Sequence, residues 1–210
     1  MTVSSHRVPV DPHPPLSESA TAFLDAAERL LVEAGHAGIT TRRLAAEAGL
    51  NQGLVHYYFG SIDELFVQVL ERFTDRLVAR QRQMYAADAP FIEKWRAAWR
   101  FQEADIEAGY SKIWMELQAL SWSRPDLRPR VARVNAEWRA VLHDAFERAA
   151  AEYGLAEDEF PVGALIALTM TFGQGYAIER LEGIEQGHPE LLAWIEHWLE
   201  SLEERTRRTG

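Results

Sequence analysis

The sequence predicts an all-α fold, and three observations carry the prediction. Apolar residues recur at i, i+3 and i+4 from Leu16 almost to the end of the chain. No alternation of apolar and polar residues is long enough for a strand. Gly35, Gly49, Gly154, Pro161, Gly187 and Pro189 fall between the periodic segments, where helices stop and start. No internal repeat is present.

The elements follow in order. Met1 to Pro15 holds Pro9, Pro12, Pro14 and Pro15 and reads as a flexible arm. Ser17 can cap a helix whose apolar face is Phe23, Ala26, Ala27, Leu30, Leu31 and Ala34, with Gly35 and Gly38 ending it. Thr40 is the N-cap of a short helix carrying Leu44, Ala45 and Ala48, and Gly49-Leu50 breaks it. Asn51 can cap the next short helix, Gln52 to Tyr58. Gly60-Ser61 then opens a longer helix with Leu65, Phe66, Val69, Leu70, Phe73 and Leu77 on one face, running toward Tyr85. Past Pro90 the pattern gives longer, aromatic-rich helices over 90–107, 110–122, 126–152, 161–184 and 189–207. Pro125 and Pro129 are expected in the first turn of the third of these, where a missing N–H is tolerated.

Two short helices in a row are informative, because isolated helices below about 12 residues are marginal in water. Those around Leu44 and Val55 must pack between their neighbours as one compact unit. At about 100° per residue, Leu54, Val55, Tyr58 and Phe59 share one half of the second helix. Gln52, Gly53, His56 and Tyr57 share the other and face outward. Gln bridges adenine N6 and N7, and a glycine lets a helix backbone approach DNA closely. The Tyr57 hydroxyl suits a phosphate. Thr40 and Thr41 put hydroxyls and free N–H groups at a helix N-terminus, and Arg42 can reach a phosphate or a guanine edge.

The run from Phe23 to Phe66 resembles the DNA-binding domain of the tetracycline-repressor (TetR) family. The matching features are Thr40-Thr41-Arg42-Arg43-Leu44-Ala45, Ala48-Gly49 at the turn, Gln52-Gly53, Tyr57-Tyr58-Phe59, and Ser61-x-Asp63-Glu64-Leu65. The resemblance implies operator binding as a homodimer, usually repression, relieved when a small-molecule effector enters the C-terminal domain. Carried over by position, it implicates Thr40, Thr41, Arg42, Gln52, Gly53, Leu54, His56, Tyr57 and Tyr58 in DNA contact. His56 stands where the family most often has tyrosine, so a titratable group replaces a phenol. Ile62 stands where the family usually has a phosphate-binding lysine, which should flatten the salt dependence by about one phosphate.

The organisation expected is an arm at 1–15, a helix-turn-helix head at 16–66, and an effector and dimerisation domain at 67–210. Trp95, Trp99, Trp114, Met115, Trp122, Phe146, Phe172 and Tyr176 are a heavy aromatic load for helices. They are candidates for an apolar ligand cavity, with Glu116, His143, Gln174 and Glu179 as polar anchors. The last two helices carry apolar stripes wider than one small bundle needs, and Gly163, Gly173 and Gly175 permit close approach. In the resembled family this pair meets its symmetry mate, so Leu165, Phe172, Tyr176, Leu191, Trp194, Ile195, Trp198 and Leu202 are the candidate dimer interface.

Composition narrows the function. A net charge of −10 argues against a protein that coats nucleic acid without specificity. Residues 1–70 are themselves acidic, so the acids are expected to lie away from DNA. Arg72, Arg76 and Arg80 form an i, i+4 stripe expected to pair with Glu71 or Asp75 on their own helix. Cysteine is absent, which removes disulfides and thiolate metal sites and fits the cytoplasm. No stretch nears the roughly 20 apolar residues of a membrane span, and Met1 to Pro15 lacks the apolar core of a signal peptide. No Ser-His-Asp order, phosphate loop or HExxH motif is visible, and no cofactor or metal is expected. The single Glu-x-x-His match, Glu185 to His188, straddles a Gly-Pro break. The competing reading is a dimeric helical interaction or small-molecule-binding module without operator binding.

Overall fold

A computed structural model describes residues 17–209, so the 1–15 arm lies outside the described residues. Among them the chain forms helices and turns with no strand. The helices are α1 (Glu18–Ala34), α2 (Thr41–Ala48), α3 (Gly53–Phe59), α4 (Ile62–Ala86), α5 (Phe91–Glu107), α6 (Tyr110–Ser123), α7 (Arg128–Tyr153), α8 (Val162–Leu181) and α9 (His188–Thr209). A short 3-10 turn, His36–Gly38, joins α1 to α2. No helix among the described residues is long and apolar enough to cross a membrane.

Local chemistry sets the boundaries. Ser17, Thr40 and Ser61 each accept a hydrogen bond from the backbone N–H three residues on, at 3.2, 3.1 and 3.1 Å. Asp63 and Glu64 add negative charge in the first turn of α4, where the helix dipole favours it. Gly49 caps α2 in the left-handed region at φ 68°. Asn51 acts one residue earlier than a normal cap: its Oδ1 accepts from the Gly53 N–H at 2.8 Å, and α3 starts at Gly53. The chain turns over Pro125 to Leu127, so α7 begins at Arg128 and Pro129 alone lies in its first turn. The α8 helix stops at Leu181, short of 184, and Gly183 follows at φ 77°.

Helices α1 to α4 enclose a dense core in which Phe23, Leu31, Leu44, Val55, Leu65 and Val69 are fully buried. The core does not close within residues 16–66. Ile113 and Leu117 of α6 and Val131 and Val134 of α7 belong to the same apolar cluster. A second cluster gathers Val78, Phe91, Val141, Phe146, Phe160 and Leu199 from α4, α5, α7, α9 and the α7–α8 connection. At about 1.5 Å rise per residue, α4 spans close to 38 Å and runs through both clusters.

The arginine stripe of α4 pairs with other helices, not with its own. Arg72 donates to Asp25 at 2.6 Å and Glu28 at 2.8 Å, Arg76 reaches Glu28, and Arg80 donates to Asp105 at 2.6 Å. Glu71 instead receives Arg130 and Arg133 from α7. The acids of the head are thereby accounted for: Asp63 receives Arg124, Glu64 receives Arg130, Glu47 receives Arg29 and Glu33 receives Arg43. Most of the negative charge counted over 1–70 is neutralised by arginines from α1, α2, α4 and α7 and the α6–α7 turn, which is why an acidic head need not repel DNA.

Candidate nucleic-acid interface and interior cavity

The outward surface of the head is made by the start of α2 and one side of α3. Val55 and Phe59 are buried, Leu54 and Tyr58 half-buried, and Gln52, Gly53, His56 and Tyr57 exposed. Burial of the first pair fixes the rotation of α3, since Phe59 packs edge-on against Phe23 with ring centroids 6.2 Å apart. Tyr57 is 77% exposed and meets Tyr58 edge-on at 4.9 Å. Leu54 and Tyr58 spend much of their surface on the head core, so they present less to a ligand than their neighbours.

Three groups on this surface have their chemistry set by local bonds. His56 Nδ1 lies 2.9 Å from the Gly60 carbonyl, which can only accept. Nδ1 is therefore the protonated nitrogen, leaving Nε2 an acceptor in neutral His56 and a donor once protonated. Arg43 turns back to the Gly38 carbonyl and Glu33, whereas Arg42 is exposed and no carboxylate holds it among the described residues. At Gly53 an added Cβ would meet nothing closer than the flexible Asn51 amide at 3.3 Å. The fold therefore does not require glycine there. Thr40 is exposed but its hydroxyl is the α2 cap, and Thr41 is half-buried.

The head rests on α6. Glu116, expected as a cavity anchor, lies at this junction instead: its Oε2 accepts from the His36 backbone N–H at 2.5 Å and stands 3.2 Å from His36 Nδ1. Gly35 makes room, because a Cβ there would sit 2.5 Å from Glu116 Oε1 and the residue has φ 68°. Lys112 Nζ donates to the Val32 carbonyl at 3.2 Å. The loop after α1 is thus held by side chains from the helix that also carries Trp114 and Met115.

Between α4, α5, α6, α7, α8 and α9 lies a cavity of about 550 Å³. Of the residues expected in it, Trp95, Trp99, Trp114, Met115, Phe146, Phe172 and Gln174 line its wall. Trp122, His143 and Glu179 do not. Trp122 is 70% exposed at the end of α6, His143 is exposed on α7 beside Asp144 and Glu147, and Glu179 sits against His188 Nε2 at 2.5 Å. Tyr176 faces a shallower recess outside the cavity. It donates to Glu103, and its hydroxyl is pushed up to about 12, by burial first and Glu103 second.

Sequence reasoning missed Trp138, Gln81 and Asp105, which also line the cavity. Trp138 was legible in one respect: it shares a helical face with Val141, Leu142 and Phe146. Every tryptophan of the chain except Trp122 contributes to the wall. Among the lining residues Asp105 alone carries a formal charge, and Arg80 holds it from behind. Burial raises the Asp105 carboxyl above its ordinary value although Arg80 pulls the other way, and burial pushes the Tyr85 hydroxyl up to about 12. Gln81 Oε1 and Trp99 Nε1 are buried without a hydrogen-bond partner. The lining is therefore apolar, aromatic and nearly neutral.

The proposed dimer residues divide. Leu191, Trp194 and Trp198 are exposed on α9. Leu165, Phe172 and Ile195 are half-buried against the body. Tyr176 and Leu202 are buried within the chain and present no outward surface, because each turns toward the body helices. Leu168, Ile178, Leu181 and Ile184, not singled out for the interface from the sequence, add exposed apolar surface. The nominal Glu-x-x-His segment holds no paired ligands: Glu185 receives Arg180 and His188 meets Glu179. No group of three or more His, Cys, Asp or Glu residues suited to a metal occurs among the described residues.

Comparison with known proteins bears on the head first. Residues 23–69 match the profile of bacterial regulatory proteins of the tetR family. The HTH-type transcriptional regulator BetI of Burkholderia mallei (strain NCTC 10229) is 34% identical over 147 residues, covering 64% of this chain and 74% of that protein. Among solved structures, the fatty acid degradation regulator FadR from Bacillus halodurans superposes with a TM-score of 0.71 at 15% identity, over 89% of this chain and 96% of that one. FadR from Bacillus subtilis, in complex with stearoyl-CoA, gives 0.60 at 13% identity over 85% and 96%. At these identities the two structures speak for the fold alone.

Proposed function

The chain belongs to the TetR family of bacterial DNA-binding transcriptional regulators, and from that premise we propose that it is a homodimeric repressor released from a palindromic operator by a lipophilic effector. The observation that carries this reading is the course of α4. Its first turns supply Leu65 and Phe66 to the head core, and its later turns supply Phe73, Leu77, Gln81 and Tyr85 to the cavity wall. One rigid element therefore touches both the reading surface and the candidate sensor.

In this reading Gln52, Gly53, His56 and Tyr57 enter the major groove, and Thr40, Thr41 and Arg42 hold the flanking backbone. Leu54 and Tyr58 contribute through their outer edges. Two heads related by a two-fold axis engage half-sites about one helical turn, roughly 34–36 Å, apart. The exposed apolar faces of α8 and α9 pair with their symmetry mates. An effector inside the cavity pushes on α4 and α6, and the Glu116 contact passes the shift to the loop after α1. The two recognition helices then lose register with adjacent major grooves.

The lining favours a particular ligand chemistry. No cation faces the cavity among its lining residues, so a carboxylate or phosphate head group has no counter-charge there. The Bacillus subtilis neighbour holds stearoyl-CoA. In this chain an uncharged apolar body fits the wall, with Gln81 and Trp99 available for one polar group. Selection of random DNA by the purified protein at two salt concentrations, followed by sequencing, tests the reading. Enrichment of a palindrome that weakens as salt rises is expected. Failure to enrich any sequence would favour the interaction-module reading.

A further inference from the structure

The cavity is not sealed by its own chain. Leu168 of α8 and Leu191, Trp194 and Trp198 of α9 line it, and these same side chains are among the exposed large apolar residues of the surface. Leu168 is 64% exposed and Trp194 66%. Both α8 and α9 pack on α5 and α7, and the cavity reaches the surface where their facing side chains stand apart. A ligand inside would lie against a wall that is half water.

We propose that a second copy of this chain completes the cavity, its α8–α9 face closing the mouth and adding apolar wall to the bound molecule. The inference rests on the homodimer and effector readings above and goes beyond them, because it makes the ligand site incomplete in one chain. The surface around the mouth decides the occupant. From Val162 to Ile178 the sequence has no Asp, Glu, Lys or Arg, and the outward positions Ala164, Ala167, Thr171 and Gly175 are small. A surface bearing charges would have to bury them unpaired against it. An equally uncharged face covers it without that penalty, and α8 with α9 is such a face in the chain itself. Its low ridge of small residues receives the bulky Leu168 and Trp194 of the other copy, as an isologous contact requires. The ligand that profits is an uncharged, elongated lipophile whose outer end would otherwise stay hydrated.

Ligand affinity and dimerisation are then linked: a molecule that prefers the closed cavity must also tighten the dimer by the same factor. The test uses N-phenyl-1-naphthylamine, a neutral apolar dye that brightens when shielded from water. Its affinity is measured against wild-type protein across a dilution series, with the oligomeric state followed by analytical ultracentrifugation. It is measured again with Ile178→Glu, a substitution on the exposed α8 face outside the cavity lining. Expected are dye affinity that falls as the dimer dissociates, at least about tenfold weaker binding by a helical, monomeric variant, and a dimer tightened by dye. Equal affinity in dimer and monomer would overturn the shared site while leaving the effector cavity intact. A variant that stays dimeric would put the interface elsewhere and overturn it too. Absence of dye binding at every protein concentration would sink the effector-cavity reading itself, and this proposal with it.

Discussion

The head and the body of this protein are built from the same kind of helix and packed to opposite ends. Around Phe23, Leu31, Leu44, Val55 and Leu65 the head leaves no measurable exposure, and its short helices are held by caps and ion pairs. The body surrounds about 550 Å³ of space with tryptophans and leaves Trp194 and Leu168 facing water. A surface that reads DNA must hold its side chains to a fixed geometry. A sensor needs room and a wall that can adjust. The contrast shows a division of labour written into packing density, with α4 and α6 belonging to both sides.

The largest test of that contrast is a pair of truncations. Phe23→Ala in the solid head should destabilise by about 3–5 kcal/mol, as full burial of an aromatic ring demands. Met115→Ala, at the cavity wall, should fall below about 2 kcal/mol, under the usual range for buried methionine, because one side of that residue already faces empty space. Urea unfolding of both variants decides it, and equal losses would erase the distinction between solid and hollow.

The junction comes next. Glu116→Ala leaves the His36 N–H without its acceptor, which should destabilise by about 1–3 kcal/mol where the group stays buried. More tellingly, operator affinity should respond less to a cavity ligand in Glu116→Ala than in wild type. An unchanged response would mean that α4 alone carries the coupling.

On the reading surface, Gln52→Ala should weaken cognate operator binding by about 1–3 kcal/mol and leave random DNA nearly unaffected, in a binding titration on both. Equal loss on the two would make Gln52 a positioning residue. The smallest effect on stability is expected at Gly53→Ala. Its Cβ meets only the Asn51 amide, so the melting temperature should hardly move while operator affinity drops about tenfold or more, a difference of about 1.4 kcal/mol. A variant that loses stability and binding together would make Gly53 a residue of the fold.

The head was far more legible in the sequence than the body, for a physical reason. Its information is local: Thr40 caps at three residues' distance, Gly49 turns the chain, and the period of Val55 and Phe59 fixes which side of α3 faces out. All of these can be read from neighbours. A cavity is a relation between helices distant in sequence, so periodicity identified Trp95, Trp99 and Trp114 as inward-facing without separating them from Trp122, which ends α6 in solvent. Polar residues were harder still. Glu116 carries no mark that its partner is His36, 80 positions away, and His143 on an apolar helix turned out to face water. The arginines of α4 followed helical spacing but found carboxylates on α1 and α5, because tertiary partners outcompeted those on the same helix.

The account stands on the coupling of these two regions, and one titration addresses it directly. The affinity of the selected operator is measured with and without a saturating neutral lipophile that binds the protein, and the lipophile's affinity with and without operator. The account predicts that each weakens the other by the same factor, of about 5–150-fold for ordinary coupling. Equal operator affinity in the presence and absence of bound lipophile would contradict it, leaving a DNA reader attached to a cavity that does not report to it.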